Sequence, residues 1–179
     1  SKVKDELIVY EDVISPHTHT IASLTKVLTQ GNYENPEKKY RGSFIQLFNK
    51  AGFKTYWISV QDPVGSSETF VSRLSQACDH QFFIAHYGYK PIDGTVLAPL
   101  TEVLSAKDEE RFIVIHLMGT HISYGSRYPD DYDKFHSTPI TPFKHEKAYN
   151  SINMYDNAVL YNDFIVSEVI KKVNQKNLK

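Results

Sequence analysis

The chain has 179 residues, 41% of them hydrophobic and 23% charged, enough for one domain over 1–179 with a substantial core. A formal net charge of -1 excludes a global field that would favour nucleic acid or an anionic membrane. No apolar run approaches the roughly 18–20 residues a bilayer span needs, and a single cysteine, Cys78, excludes an internal disulfide framework.

The opening, SKVKDELIVY, has neither Met nor a signal-peptide pattern and reads as a cut inside a longer protein. Residues 7–14 (LIVYEDVI) read as a strand that Pro16 ends. The polar HTHT of 17–20 then leads into a helix over 21–28. Residues 31–36 are a loop. Residues 40–50 have helical spacing, with Phe44, Leu47 and Phe48 on one face and Gly52 as a stop. A second strand is predicted over 53–60, a loop over 62–67, a helix over 68–77 and a short strand over 81–85. After a Gly/Tyr/Pro-rich loop come a helix over 96–106 and a fourth strand over 111–116. The continuous apolar run Phe112, Ile113, Val114, Ile115 reads as a strand covered on both faces. Residues 129–147 hold three prolines and form a long irregular stretch, a kind of segment often tied to function. The last helix spans 148–173, with Val159, Phe164, Val166, Val169, Ile170 and Val173 as its apolar face. Strands alternating with helices predict an α/β fold with a largely parallel sheet and flanking helices. A helix with no strand after it suggests a cut at the far end too.

In open α/β sheets, ligands bind outside the carboxyl ends of the strands. Three segments fall there. The first is Ser15 to Thr20, where a strand-to-helix turn offers free N–H groups and a positive dipole end to a phosphate or sulfate. Thr20 has two readings, an N-cap, which spacing alone favours, and a nucleophile attacking phosphorus. His17 and His19 resemble a metal pair, yet alternate residues of an extended segment point to opposite sides. The second segment follows the fourth strand. His116 reads either as a core histidine, the commoner case, or as a ligand. His121, in a Gly-containing loop, has the stronger functional reading. Arg127 suits an anion clamp or, more commonly, a surface pair with Asp130 or Asp131. The third segment is Gln61-Asp62, which Pro63 and Gly65 also fit as a plain turn. Cys78 is read as a small, buried or half-buried residue. YDNAVLYND, residues 155–163, is read as a helix with a polar face and no catalytic role.

DVISPHTHTIASLTKVLT, AGFKTYWIS, FIVIHLMGTHISYGSRYP and YDNAVLYNDFI occur in the same order in sulfatase-like phosphoethanolamine transferases, and the chain resembles that family over nearly its whole length. The single Cys fits the branch that modifies the lipopolysaccharide core better than the disulfide-rich lipid A branch. The resemblance implies an alkaline phosphatase/sulfatase-type α/β fold. It also implies a periplasmic catalytic domain attached to inner-membrane helices outside this chain. Its chemistry would be zinc-dependent transfer from phosphatidylethanolamine to lipopolysaccharide. By that resemblance Thr20, with Thr18 as the alternative register, takes the phosphoethanolamine group and is also a zinc ligand. His121 falls on the family's phosphate-contacting His, His116 on an earlier His of the same motif, and Gln61 near a polar residue lining the substrate site.

Two family motifs that carry the other zinc ligands, E-S-x-R upstream and D-H-G-E downstream, are not in this sequence. A catalytic zinc wants about three protein ligands and an open position, so these 179 residues alone are expected to be inactive and to lack the family's metal site. A sulfatase or phosphodiesterase of the same fold would differ by using water as acceptor. A non-catalytic domain would instead bind glycan or protein through aromatic loops around Tyr87 to Pro91 and Tyr124 to Tyr132. An open sheet edge or an uncovered apolar face would favour self-association.

Overall fold

The computed structural model describes residues 8, 10–62, 70–85, 91–106 and 110–177. Its centre is a parallel sheet of order β2-β1-β3, built from β1 (Lys54–Ser59), β2 (His80–Phe83) and β3 (Arg111–His116). Tyr56 lies opposite His80 on one side and Ile113 on the other. Side chains alternate along β1, and both of its faces are covered. Tyr56, Ile58 and Val60 pack with Val96, Leu100 and Val103 near α4 (Leu97–Ser105), and with Tyr161 and Ile165 of α5 (Glu146–Asn177). Trp57 packs on the other face with Leu28 of α1 (Thr20–Leu28), Ile45 of α2 (Phe44–Lys50), and Val71 and Leu74 of α3 (Phe70–Gln76). The result is a three-layer α/β arrangement with one core on each face of the sheet.

The amino ends of β1 and β2 are tied by side chains. Thr55 N–H donates to Asp79 Oδ2 at 2.8 Å, Thr55 Oγ1 donates to Asn49 Oδ1 at 2.7 Å, and Asp79 N–H donates to Thr55 Oγ1 at 2.9 Å. Asn49 Nδ2 then donates to the carbonyl of Ala77 at 2.8 Å. Asp79 is held below the usual carboxylate range, chiefly by the Thr55 N–H. The Cys78 thiol is pushed up to about 12 by burial, against a lowering hydrogen bond from Thr55. It is buried and stays a thiol at neutral pH, so it is no nucleophile.

Several sequence expectations need correction. Ile8 and residues 10–14 carry no strand, and Ile8, Tyr10, Val13 and Ile14 are 76% to 87% exposed; Leu7 and Val9 lie outside the described residues. No described strand pairs with Ile8 or residues 10–14, and the chain bends at Glu11 and Asp12, the latter at φ 57°. The helix expected over 40–50 is two pieces, a 3₁₀ turn over Pro36–Arg41 and then α2. Gly42, at φ 118°, separates them, and Ser43 starts α2 with a capping box to Gln46. Ile45 is the buried residue of α2, whereas Phe44 and Leu47 are exposed. β3 is covered on both faces as expected, with Ile113 and Ile115 against one core and Phe112 and Val114 against the other, yet each residue is only half-buried, because only β1 pairs with it among the described residues.

On α5 the inward stripe is Asn153, Asn157, Ala158, Tyr161 and Ile165, at helical spacing, while Val159, Phe164 and Val166 face outward. The asparagines are structural. Asn157 Oδ1 accepts the N–H groups of Lys134 and Phe135, at 2.9 and 2.8 Å, and its Nδ2 donates to Asp133 at 2.8 Å. Asn153 Nδ2 donates to the carbonyl of Ser137 at 2.9 Å. These bonds pin the long stretch before α5, which is irregular as expected apart from a 3₁₀ turn over Asp130–Tyr132.

Candidate functional site

The carboxyl ends of β1 and β3 face the start of α1. Thr20 is the first residue of that helix, and His19 is its N-cap with no side chain capping it. The N-cap reading of Thr20 is therefore corrected: its hydroxyl lies inside the first turn, is exposed, and leaves the first amides without a protein cap. Such amides, with the helix dipole behind them, favour an anion.

His17 and His19 do not point apart. Bends at Pro16, Thr18 and His19 bring their rings to 5.4 Å between centroids, tilted by 38°. The backbone here is not the regular extended chain from which opposite sides were expected.

Thr20, Trp57, Ser59, Gln61 and His116 line one cavity of about 240 Å³. Trp57 is 1% exposed, and its Nε1 has no hydrogen-bond partner among the described residues. Ser59 stands beside His116 in the ladder, and its Oγ lies 3.2 Å from His116 Nδ1. Ser59 points its single proton at the carbonyl of Gln61, at 3.2 Å, and accepts the Gln61 N–H at 3.0 Å. We therefore assign the Nδ1 proton to His116, as donor to Ser59, which leaves Nε2 as the free lone pair. Burial holds the His116 pKa below its ordinary value, with Asp93 pulling it back up, so the ring is neutral at neutral pH. The side chain of Gln61 is committed, since its Nε2 donates to the Leu117 carbonyl at 3.0 Å.

His121 is exposed on the loop after β3 and is not among the residues lining that cavity. Its N–H closes a turn on the carbonyl of Met118 at 3.3 Å. Arg127 forms no ion pair with Asp130 or Asp131 among the described residues. Its Nε and Nη2 donate to the carbonyls of His121 and Ile122, at 3.2 and 2.7 Å, so it ties the loop to itself.

The structure thus joins Thr20, His116 and Gln61 and holds His121 on the adjoining loop. Sequence reasoning missed two residues beside them. Ser59 ends a strand whose alternation could have flagged a polar residue turned inward. Asp93 sits in a turn with no local signal.

The chain matches the Sulfatase family from residue 1 to residue 179, and it belongs to that family. It is 34% identical, over 95% of its length, to phosphoethanolamine transferase EptC of Escherichia coli O18:K1:H7. It is also 34% identical, over 89% of its length, to phosphoethanolamine transferase CptA of Salmonella typhimurium. It spans 30% and 29% of those two proteins. The C-terminal periplasmic domain of Escherichia coli EptC, solved in complex with zinc, superimposes with a TM-score of 0.90 at 32% identity, over 98% of this chain and 51% of that one. The α/β fold is therefore that of the alkaline phosphatase-like sulfatases.

Zinc in that relative raises the question of whether these residues would hold it. Among the described residues, no three His, Cys, Asp or Glu side chains come together to bind a metal ion. A hydroxyl such as Thr20 does not hold zinc without about two further ligands. The described residues do not fit a zinc site by themselves.

Proposed function

We propose that this chain is the nucleophile-bearing part of a phosphoethanolamine transferase, and that Thr20 takes the transferred group. The observation that carries the reading is Thr20 itself, on an uncapped helix start at the mouth of a cavity shared with Gln61 and His116. The similarity to EptC and CptA supports it. Thr20 Oγ attacks phosphorus of phosphatidylethanolamine. The bond from phosphorus to the diacylglycerol oxygen breaks, that oxygen leaves with a proton, and phosphoethanolamine stays on Thr20. A hydroxyl of lipopolysaccharide then attacks the same phosphorus and releases Thr20.

The first-turn amides of α1 stabilise the phosphoryl oxygens. His121 contacts the phosphate from the loop after β3. His116, neutral and with Nε2 free, accepts a proton as Thr20 or the acceptor attacks. Gln61 shapes the floor by holding Leu117. Zinc belongs to this proposal for the whole protein, with Thr20 as one ligand and the others outside the described residues. The whole protein works at the outer face of the inner membrane; among the described residues no helix is long and apolar enough to cross it.

Full-length protein, supplied with phosphatidylethanolamine vesicles and lipopolysaccharide, tests this. Lipopolysaccharide should gain phosphoethanolamine, and Thr20→Ala should abolish the gain. Release of free phosphoethanolamine with lipopolysaccharide unmodified would favour a hydrolase. No turnover at all, with intact glycan or protein binding, would favour the non-catalytic domain.

A further inference from the structure

We propose that Asp93 is a positioning residue for the proposed transfer, the carboxylate that sets the turn carrying His121. The inference rests on the reading of His121 as a phosphate contact. Asp93 opens the 3₁₀ turn Asp93–Val96 and is 3% exposed. Its Oδ1 accepts the N–H of Met118 and its Oδ2 the N–H of Gly119, each at 2.8 Å. Asn162 Nδ2 of α5 also reaches Oδ2 at 3.5 Å. No Lys, Arg or His forms an ion pair with Asp93 among the described residues.

Two successive backbone N–H groups aimed at one anion form a nest, a geometry that usually receives a ligand. Here the anion is the protein's own. Gly119 supplies the left-handed φ of 57° at the second position. The other side of the turn is closed by His121 N–H on Met118 and by Arg127 on the His121 carbonyl. Asp93 is fixed in turn from behind. Gly94 N–H donates to the Tyr161 hydroxyl at 3.2 Å, and a Cβ at residue 94 would collide with that hydroxyl. Tyr161 is buried on α5. A continuous run of contacts therefore joins α5 to Asp93 and Asp93 to the 118–121 turn.

A buried carboxylate without a cation is a costly way to gain stability. What this one provides is placement, since it fixes two adjacent amides at once and with them the start of the His121 loop. Remote residues that hold a reacting group in place act on kcat, because small misplacements are felt in the transition state.

The test uses the zinc-loaded full-length enzyme in detergent, with phosphatidylethanolamine as donor. Asp93→Ala should lower kcat about tenfold or more while KM stays within about twofold. It should also speed amide hydrogen exchange in the peptide over 117–123. Val103→Ala, which opens the same core layer away from the turn, should change neither that exchange nor kcat. If Asp93→Ala does not accumulate, Asp93→Asn, which keeps one acceptor oxygen, should show a smaller loss of the same kind. The double variant with His121→Ala should be little slower than His121→Ala alone, because both remove one effect.

Wild-type kcat in both Asp93 variants overturns the inference, as does a full multiplicative loss in the double variant. His121→Ala with unchanged transfer overturns the reading of His121 beneath it, and that single variant separates the two failures.

Discussion

The two ends of β1 are built in opposite ways. At the amino end, Thr55, Asn49 and Asp79 satisfy one another and the carbonyl of Ala77. At the carboxyl end, Ser59, Gln61 and His116 are linked, but they face a cavity that also exposes an uncapped Thr20. Polar groups at the closed end have protein partners and contribute stability. Those at the open end keep capacity for a ligand. A site is recognised here by what its polar groups leave unused, since both ends carry similar residue types.

Three perturbations would break or sharpen that contrast. The largest effect is expected at the open end. His121→Ala should slow phosphoethanolamine transfer by about 10²-fold, as loss of one donor to a transition-state oxygen does, with the thermal midpoint unchanged. A variant that instead unfolds early would place His121 among the structural residues.

The next tests the closed end. Thr55→Val removes the hydroxyl that Asn49 and Asp79 share and leaves buried partners unmade, so stability should fall by roughly 1–3 kcal/mol in urea. Turnover per folded molecule should stay at the wild-type value. A fall in turnover at full stability would erase the distinction between the ends.

The smallest is a pH effect. Burial lowers the His116 pKa from its ordinary value of 6.5, so between that lowered value and about 6.5 the unfolded chain binds more protons than the folded one. Stability from this group is complete above about pH 6.5 and falls as pH drops towards the lowered value, below which the contribution is flat. Urea midpoints at about pH 5.5 and about pH 7.5 should differ more for wild type than for His116→Gln. Equal differences would mean His116 is not desolvated.

Much of this was readable before the structure. β1, β3 and α4 announce themselves by apolar runs and spacing, and the 116–121 segment stands at a strand's carboxyl end, where sites in α/β sheets form, whereas Ser15–Thr20 leads into the same cavity with no strand before it among the described residues. What could not be read depends on partners distant in sequence. Residues 7–14 have a strand's composition, but those of them that are described, Ile8 and 10–14, carry no ladder. Of the apolar face expected on α5, Val169 packs on the core but Val159, Phe164 and Val166 are exposed, because Asn153 and Asn157 turn inward to hold backbone of the preceding loop, and hydrophobic patterning counts asparagine as outward. Asp93 lies 25 residues from Met118 along the chain, and nothing in its neighbours marks it. Arg127 bonds to backbone carbonyls, which carry no side-chain signature.

The most direct measurement is peptide mass spectrometry of the full-length protein, quenched during turnover with phosphatidylethanolamine and no acceptor. The expected result is a single phosphoethanolamine group on the peptide containing residues 17–26, localised by fragmentation to Thr20 and absent from Thr20→Ala. A modification on Thr18, or transfer to lipopolysaccharide with Thr20 never modified, would contradict the assignment of the open end as the reacting end.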